Sequence, residues 1–118
     1  MRVPAGVVRA LRRGLRLGEE LRAGPGLQPE TVARAIAWTR GAPATEADVR
    51  RVRAWHRRHG ASWREVDARL RQAAELRAGQ LRGRAPALTA WLLWGGAAGE
   101  RWAESAAVRR PGRFAKTP

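Results

Sequence analysis

The chain has no cysteine. That excludes a disulfide framework and any thiolate metal site, and it fits an intracellular setting. Tyrosine is absent and phenylalanine occurs once. With isoleucine and threonine also scarce, strand formers are too few for a β fold, and the composition favours helix. No apolar run approaches the roughly 18 residues needed to cross a bilayer, so no membrane partner is expected. The arginines near the start are not followed by the apolar stretch and cleavage site of a signal peptide. Catalytic inventory is equally thin. Ser62 and Ser105 are the only serines, and no pair of acids stands clear of arginine. Gly95-Gly96 lacks the lysine and hydroxyl residue of a phosphate-binding loop. No enzyme and no cofactor are expected.

Acidic residues are the largest deficit. Twenty-four lysines and arginines face ten acids, a formal charge of +14, and Lys116 is the single lysine. A GC-rich genome explains arginine in place of lysine but not the imbalance. So large a surplus on 118 residues repels itself unless a polyanion lies near. Nucleic acid is the commonest such partner, and its phosphates reward guanidinium contacts.

What is present is organised around residues 90–104, Ala-Trp-Leu-Leu-Trp-Gly-Gly-Ala-Ala-Gly-Glu-Arg-Trp-Ala-Glu, which hold three of the six tryptophans. Two short helices broken at Gly95-Gly96 would make an aromatic wedge for the other helices to wrap. Before it, Pro4 opens a helix whose Val7, Val8, Leu11, Leu15 and Leu21 recur at helical spacing, ended by Gly24-Pro25-Gly26. Gly14 and Gly18 on that helix suggest close packing. Pro29 starts a second helix that stops at Gly41. Thr45 to Asp48 resembles a capping box for a third, with Val49, Val52, Trp55 and either His56 or His59 on one face. Gly60 reads as its stop. Ser62 to Glu65 then reads as the capping box of a fourth helix through about Gln80, with Trp63, Val66, Leu70, Ala73 and Leu76 inward. Residues 81–85 read as a basic connector, and Gly96 to Val108 as the last helix.

The expectation is an all-α, compact single domain of five or six short helices with a Trp-rich core. It spans residues 1–108, followed by a flexible basic tail, 109–118. Trp55, Trp63, Trp91 and Trp94 fall on apolar faces and read as core rather than as stacking platforms for bases; Trp38 and Trp102 are left open. His56 and His59 read as packing or capping groups, since a metal site needs more ligands than this stretch offers. Helices two and three have the order of a helix-turn-helix, against the plainer reading of a helical hairpin with a solvated arginine face. With no asparagine on helix three to read adenine, phosphate contact is expected over base readout. The candidate nucleic-acid-binding residues are Arg12, Arg13 and Arg16 on helix one, Arg50, Arg51, Arg53, Arg57 and Arg58 on helix three, Arg64 on helix four, and Arg109, Arg110 and Arg113 in the tail.

One ordered series stands out: Arg13-Gly14-Leu15-Arg16-Leu17, Ala33-Arg34-Ala35 before Gly41, Val49-Arg50-Arg51, Trp55 with Arg58-His59, Trp91-Leu92-Leu93-Trp94-Gly95-Gly96, then Gly99 with Trp102-Ala103-Glu104. It resembles a small helical module of tailed-bacteriophage and prophage proteins, found alone or attached to head-assembly proteins such as phage serine proteases. The most specific part is Trp-Leu-Leu-Trp-Gly-Gly. Two departures are visible: Ala97 stands where the family pattern has an acid, and a capped fourth helix replaces a Gly-rich loop. The resemblance implies a phage context, hence the host cytoplasm or a virion, more than a mechanism. Two function classes follow: a basic protein that binds nucleic acid, with DNA favoured, and a virion structural or assembly protein that contacts other phage proteins. Oligomeric state is left open.

Overall fold

The structure is a computed structural model and describes residues 1–20, 27–72 and 85–108. Every regular element in it is helical: α1 (Ala5–Glu20), α2 (Pro29–Thr39), α3 (Glu46–Gln72), α4 (Ala85–Leu93) and α5 (Gly96–Val108). The breaker at residues 24–26, the end of the expected fourth helix, the connector at 81–84 and the tail at 109–118 lie outside the described residues.

Several boundaries follow directly from side-chain chemistry. Pro4 carries the carbonyl that accepts from the Val8 amide and so opens α1. Pro29 occupies the first turn of α2, where its missing N–H leaves nothing unsatisfied. Gly41, at φ +94°, turns the chain out of that helix. Thr45 and Asp48 form the reciprocal cap expected of them: the Asp48 amide donates to Thr45 Oγ1 at 3.1 Å, and the Thr45 amide donates to Asp48 Oδ2 at 2.9 Å. The wedge is also present. The Gly95 amide donates to the Leu92 carbonyl, and the Gly99 amide donates to that of Gly95, so one helix closes and the next begins within two residues.

Gly60 does not stop a helix. The expected third and fourth helices are one 27-residue element that runs straight through it, and Ser62 is an exposed mid-helix residue rather than a cap. The reason is tertiary. A Cβ on the buried Gly60 would lie 3.4 Å from Glu100 Oε2, so the glycine makes room for α5 to lie alongside. A mid-helix glycine costs about 1 kcal/mol relative to alanine. Ion pairs on either side of it, Arg57 with Glu104 and Arg64 with Glu100, tie α3 to α5.

α1 packs most extensively on α4, and Gly14 lets them approach closely: a Cβ there would fall 2.8 Å from that of Leu92. The main partner of α2 is α1, and that of α3 is α5. Helices α2 and α3 are therefore not the packed pair that a helix-turn-helix requires. Two apolar clusters result, one around Val7, Leu11, Trp38, Val52 and Leu93, the other around Trp55, Val66, Leu88, Trp91 and Leu92. Trp38, Trp55 and Trp91 are buried; Trp63, Trp94 and Trp102 are half-buried. Trp38, which the sequence leaves open, is thus core, held edge-on by Trp102 with ring centroids 5.6 Å apart.

Candidate nucleic-acid interface

The arginines separate into three groups by what they touch. The first is committed to this chain's own carboxylates. Arg57 makes a two-pronged contact with Glu104, Nε to Oε1 at 2.9 Å and Nη2 to Oε2 at 3.1 Å. Arg64 pairs with Glu100 in the same way. Arg51 reaches Asp48 at 3.3 Å, Arg50 reaches Glu46 at 4.0 Å, and Arg13 reaches the buried Asp67 at 3.9 Å. The Arg57 contact holds the Glu104 carboxyl below its ordinary range, first by hydrogen bonding and then by charge, and raises Arg57 in return. Arg53 is half-buried on the same side and adds to the field at Glu104. Much of the α3 arginine face is thus turned inward to α5 or capped by acids of its own first turn.

The second group is Arg34. Its guanidinium carbon sits 4.2 Å from the Trp94 ring centroid and 5.5 Å from that of Trp38. Burial lowers its pKa, Asp48 raises it, and Arg51 lowers it further. Behind Trp94 the aromatic file continues. Trp55 is stacked on it at 5.5 Å, and Trp63 on Trp55 at 6.2 Å, both pairs within 9° of parallel. A cation on the face of an indole replaces part of its lost hydration, which accounts for a buried Arg34 Nη2 without a hydrogen-bond partner among the described residues.

The third group faces water without an ion pair among the described residues: Arg2, Arg9, Arg12, Arg16, Arg40, Arg58 and Arg101. Most of it gathers on and beside α1. Residues 9, 12, 13 and 16 fall within about 100° of the helix circumference, and all four are exposed. No acid occurs in residues 1–18. The row from Arg9 to Arg16 is about 10 Å long, close to three steps of a nucleic-acid strand at about 3.4 Å each.

A basic cleft lies on either side of this row. The larger, about 550 Å³, opens between the start of α1 and the end of α2, with Arg2, Arg9 and Arg12 along one side and no carboxylate in its lining. Arg12 Nη2 crosses it to donate to the Thr39 carbonyl at 3.4 Å. The smaller, about 250 Å³, lies over Gly95-Gly96 between Arg9, Arg13 and Arg101, with Asp67 also in its wall. Arg9 borders both.

Of the arginines picked from sequence, Arg12, Arg13 and Arg16 are brought together on this face. Arg50, Arg51, Arg53, Arg57, Arg58 and Arg64 belong to α3 and line neither cleft. Arg109, Arg110 and Arg113 lie outside the described residues. Sequence reasoning left out Arg2, Arg9 and Arg101. For Arg9 the signal was available, since it sits one turn before Arg12 and Arg13. For Arg101 there was none, because only the Gly95-Gly96 turn carries it across to α1. His56, not His59, is the buried histidine: Nε2–H donates to the Trp94 carbonyl at 2.8 Å, and burial lowers its pKa. No cluster of three or more histidines and acids suited to a metal occurs among the described residues.

No protein-family model, curated protein or solved structure matches this chain.

Proposed function

We propose that this chain is a small basic protein of phage or prophage origin that binds nucleic acid, DNA favoured, mainly through arginine–phosphate contacts made by the α1 face. The observation that carries this is the exposed row of Arg9, Arg12, Arg13 and Arg16, of which only Arg13 meets an acid among the described residues, Asp67, with Arg2 and Arg101 beside it and no carboxylate in the preceding or intervening sequence. The phage setting rests on the motif series ending in Trp91-Leu92-Leu93-Trp94-Gly95-Gly96. The partly neutralised α3 face is given the secondary role. Contacts to phosphate alone carry no sequence information, so binding is largely indifferent to sequence.

Fluorescence anisotropy on a labelled 20-base-pair duplex, run as a salt series, tests this. Four phosphate contacts predict a log–log slope near −3.6, so affinity falls roughly 150-fold between 50 and 200 mM salt. Arg9→Ala, Arg12→Ala and Arg16→Ala combined should cut the slope to about −0.9, whereas Arg50→Ala with Arg51→Ala should change it far less. A flat slope, or no binding, refutes the reading and favours the virion-assembly alternative, in which an acidic protein meets these arginines.

A further inference from the structure

We infer that the larger α1–α2 cleft takes one unstacked nucleotide, its own and flanking phosphates on Arg2, Arg9 and Arg12 and its base against Val8, Ala42 and the accessible edge of Trp38. This deepens the nucleic-acid reading and rests on it where the nucleotide belongs to a strand; a free nucleotide offers the same chemistry.

Three features of the cleft ask for more than a phosphate. Its volume, about 550 Å³, falls in the range of small-molecule sites and far exceeds what one phosphate fills. Its lining is of two kinds, the guanidiniums of Arg2, Arg9 and Arg12 and the apolar or aromatic groups of Val8, Trp38 and Ala42, which match the two ends of a nucleotide. And both kinds are held in place. Trp38 is 4% exposed and pinned by Trp102, while the Arg12 guanidinium is oriented by its bond to the Thr39 carbonyl. Arg2 is placed by the main chain, since the Met1 carbonyl accepts from the Ala44 amide at 2.8 Å. Duplex DNA keeps its bases stacked and has none to give. The cleft therefore favours a single strand, a frayed end or a free nucleotide, with Arg16 further along α1 left for the neighbouring phosphate.

The test compares a ten-residue oligothymidylate, an abasic strand with the same number of phosphates, a duplex of equal length and thymidine 5′-monophosphate, all at 50 mM salt. The thymidylate strand should bind about ten-fold tighter than the abasic strand, in line with what one seated base contributes. Ala42→Leu, which fills the apolar side without adding a ring or a charge, should erase that difference and leave abasic binding as it was. In the unaltered protein, the Trp38 indole N–H resonance should shift on addition of thymidine monophosphate, a readout that needs no variant to fold. Monophosphate binding that moves Trp38, with no strand bound, supports the cleft assignment with a free nucleotide as its ligand and removes the nucleic-acid reading. Equal affinity for thymidylate and abasic strands, or an unmoved Trp38, overturns the cleft assignment while leaving phosphate binding by α1 standing. Failure of every probe to bind overturns both.

Discussion

Three glycines on α1 form a natural series for separating room from propensity. Replacing any of them by alanine favours the helix itself by up to about 1 kcal/mol. What differs is the space for a methyl group. At Gly6 the nearest atom to a new Cβ is that of Ala98 at 3.4 Å, ordinary contact; at Gly18 it is Thr89 Cγ2 at 3.2 Å, somewhat tight; at Gly14 it is Leu92 Cβ at 2.8 Å, with the Leu92 carbonyl carbon and Leu93 amide nitrogen at 3.2 Å. A Cβ and two backbone atoms cannot rotate away, so α1 and α4 must separate. Overpacking of this kind costs about 1–3 kcal/mol. With two backbone atoms in the way the cost falls in the upper half of that range, about 2–3 kcal/mol, so after the propensity gain Gly14→Ala should come out about 1–2 kcal/mol less stable, a fall in Tm of roughly 4–8 °C for a domain of this size. Gly18→Ala should be near neutral, and Gly6→Ala neutral to stabilising. Thermal and urea melts followed by circular dichroism measure all three. Gly14→Ala at or above the parent stability would refute the claimed closeness of α1 to α4, whatever the other two do.

Further outcomes follow from other contacts. Gly95 holds φ +92°, and a Cβ there would meet Gly99 Cα at 2.7 Å, so Gly95→Ala should cost about 3 kcal/mol or more and show as loss of cooperative melting. His56 has its pKa lowered by burial, opposed by its bond to Trp94 and helped by Arg64 and His59. Below the ordinary value of 6.5 the unfolded chain therefore takes up a proton that the native chain refuses, and stability is lost as pH falls. The slope should approach at most about 1.4 kcal/mol per pH unit. His56→Gln should flatten it, and an unchanged slope in that variant would assign the effect elsewhere. In Arg57→Gln the Glu104 carboxyl should titrate higher than in the parent, read by carboxyl-carbon NMR.

How far the sequence foretold this molecule depends on the range of the interactions involved. Caps and breaks written within four residues were legible: Pro29, the Thr45–Asp48 exchange and the Gly95–Gly96 step all do what their chemistry suggests. Ser62–Glu65 carries the same local signature and fails, because a cap is needed only where a helix begins. The groups that α3 meets on either side of Gly60, Glu100 and Glu104, lie some 40 residues downstream. The same distance problem governs the charges. A count of acids and bases shows the surplus, but not that Arg57 and Arg64 are engaged across a helix interface while Arg9, sharing a face with Arg12 and Arg16, is not. Periodicity found Val7, Leu11, Val49, Val52 and Trp55 as interior. It could not choose between His56 and His59, which sit less than one turn apart; only His56 is buried, where it meets the Trp94 carbonyl.

Trp94 touches both apolar clusters at once, with Arg34 on one side of its ring and Trp55 on the other. Left as separate droplets, two such small interiors would each be too slight to hold their helices and free to loosen independently. A shared indole acts as a party wall, so that loosening one room strips support from the next, and a single-step melt is the expected outcome although the oil lies in two places.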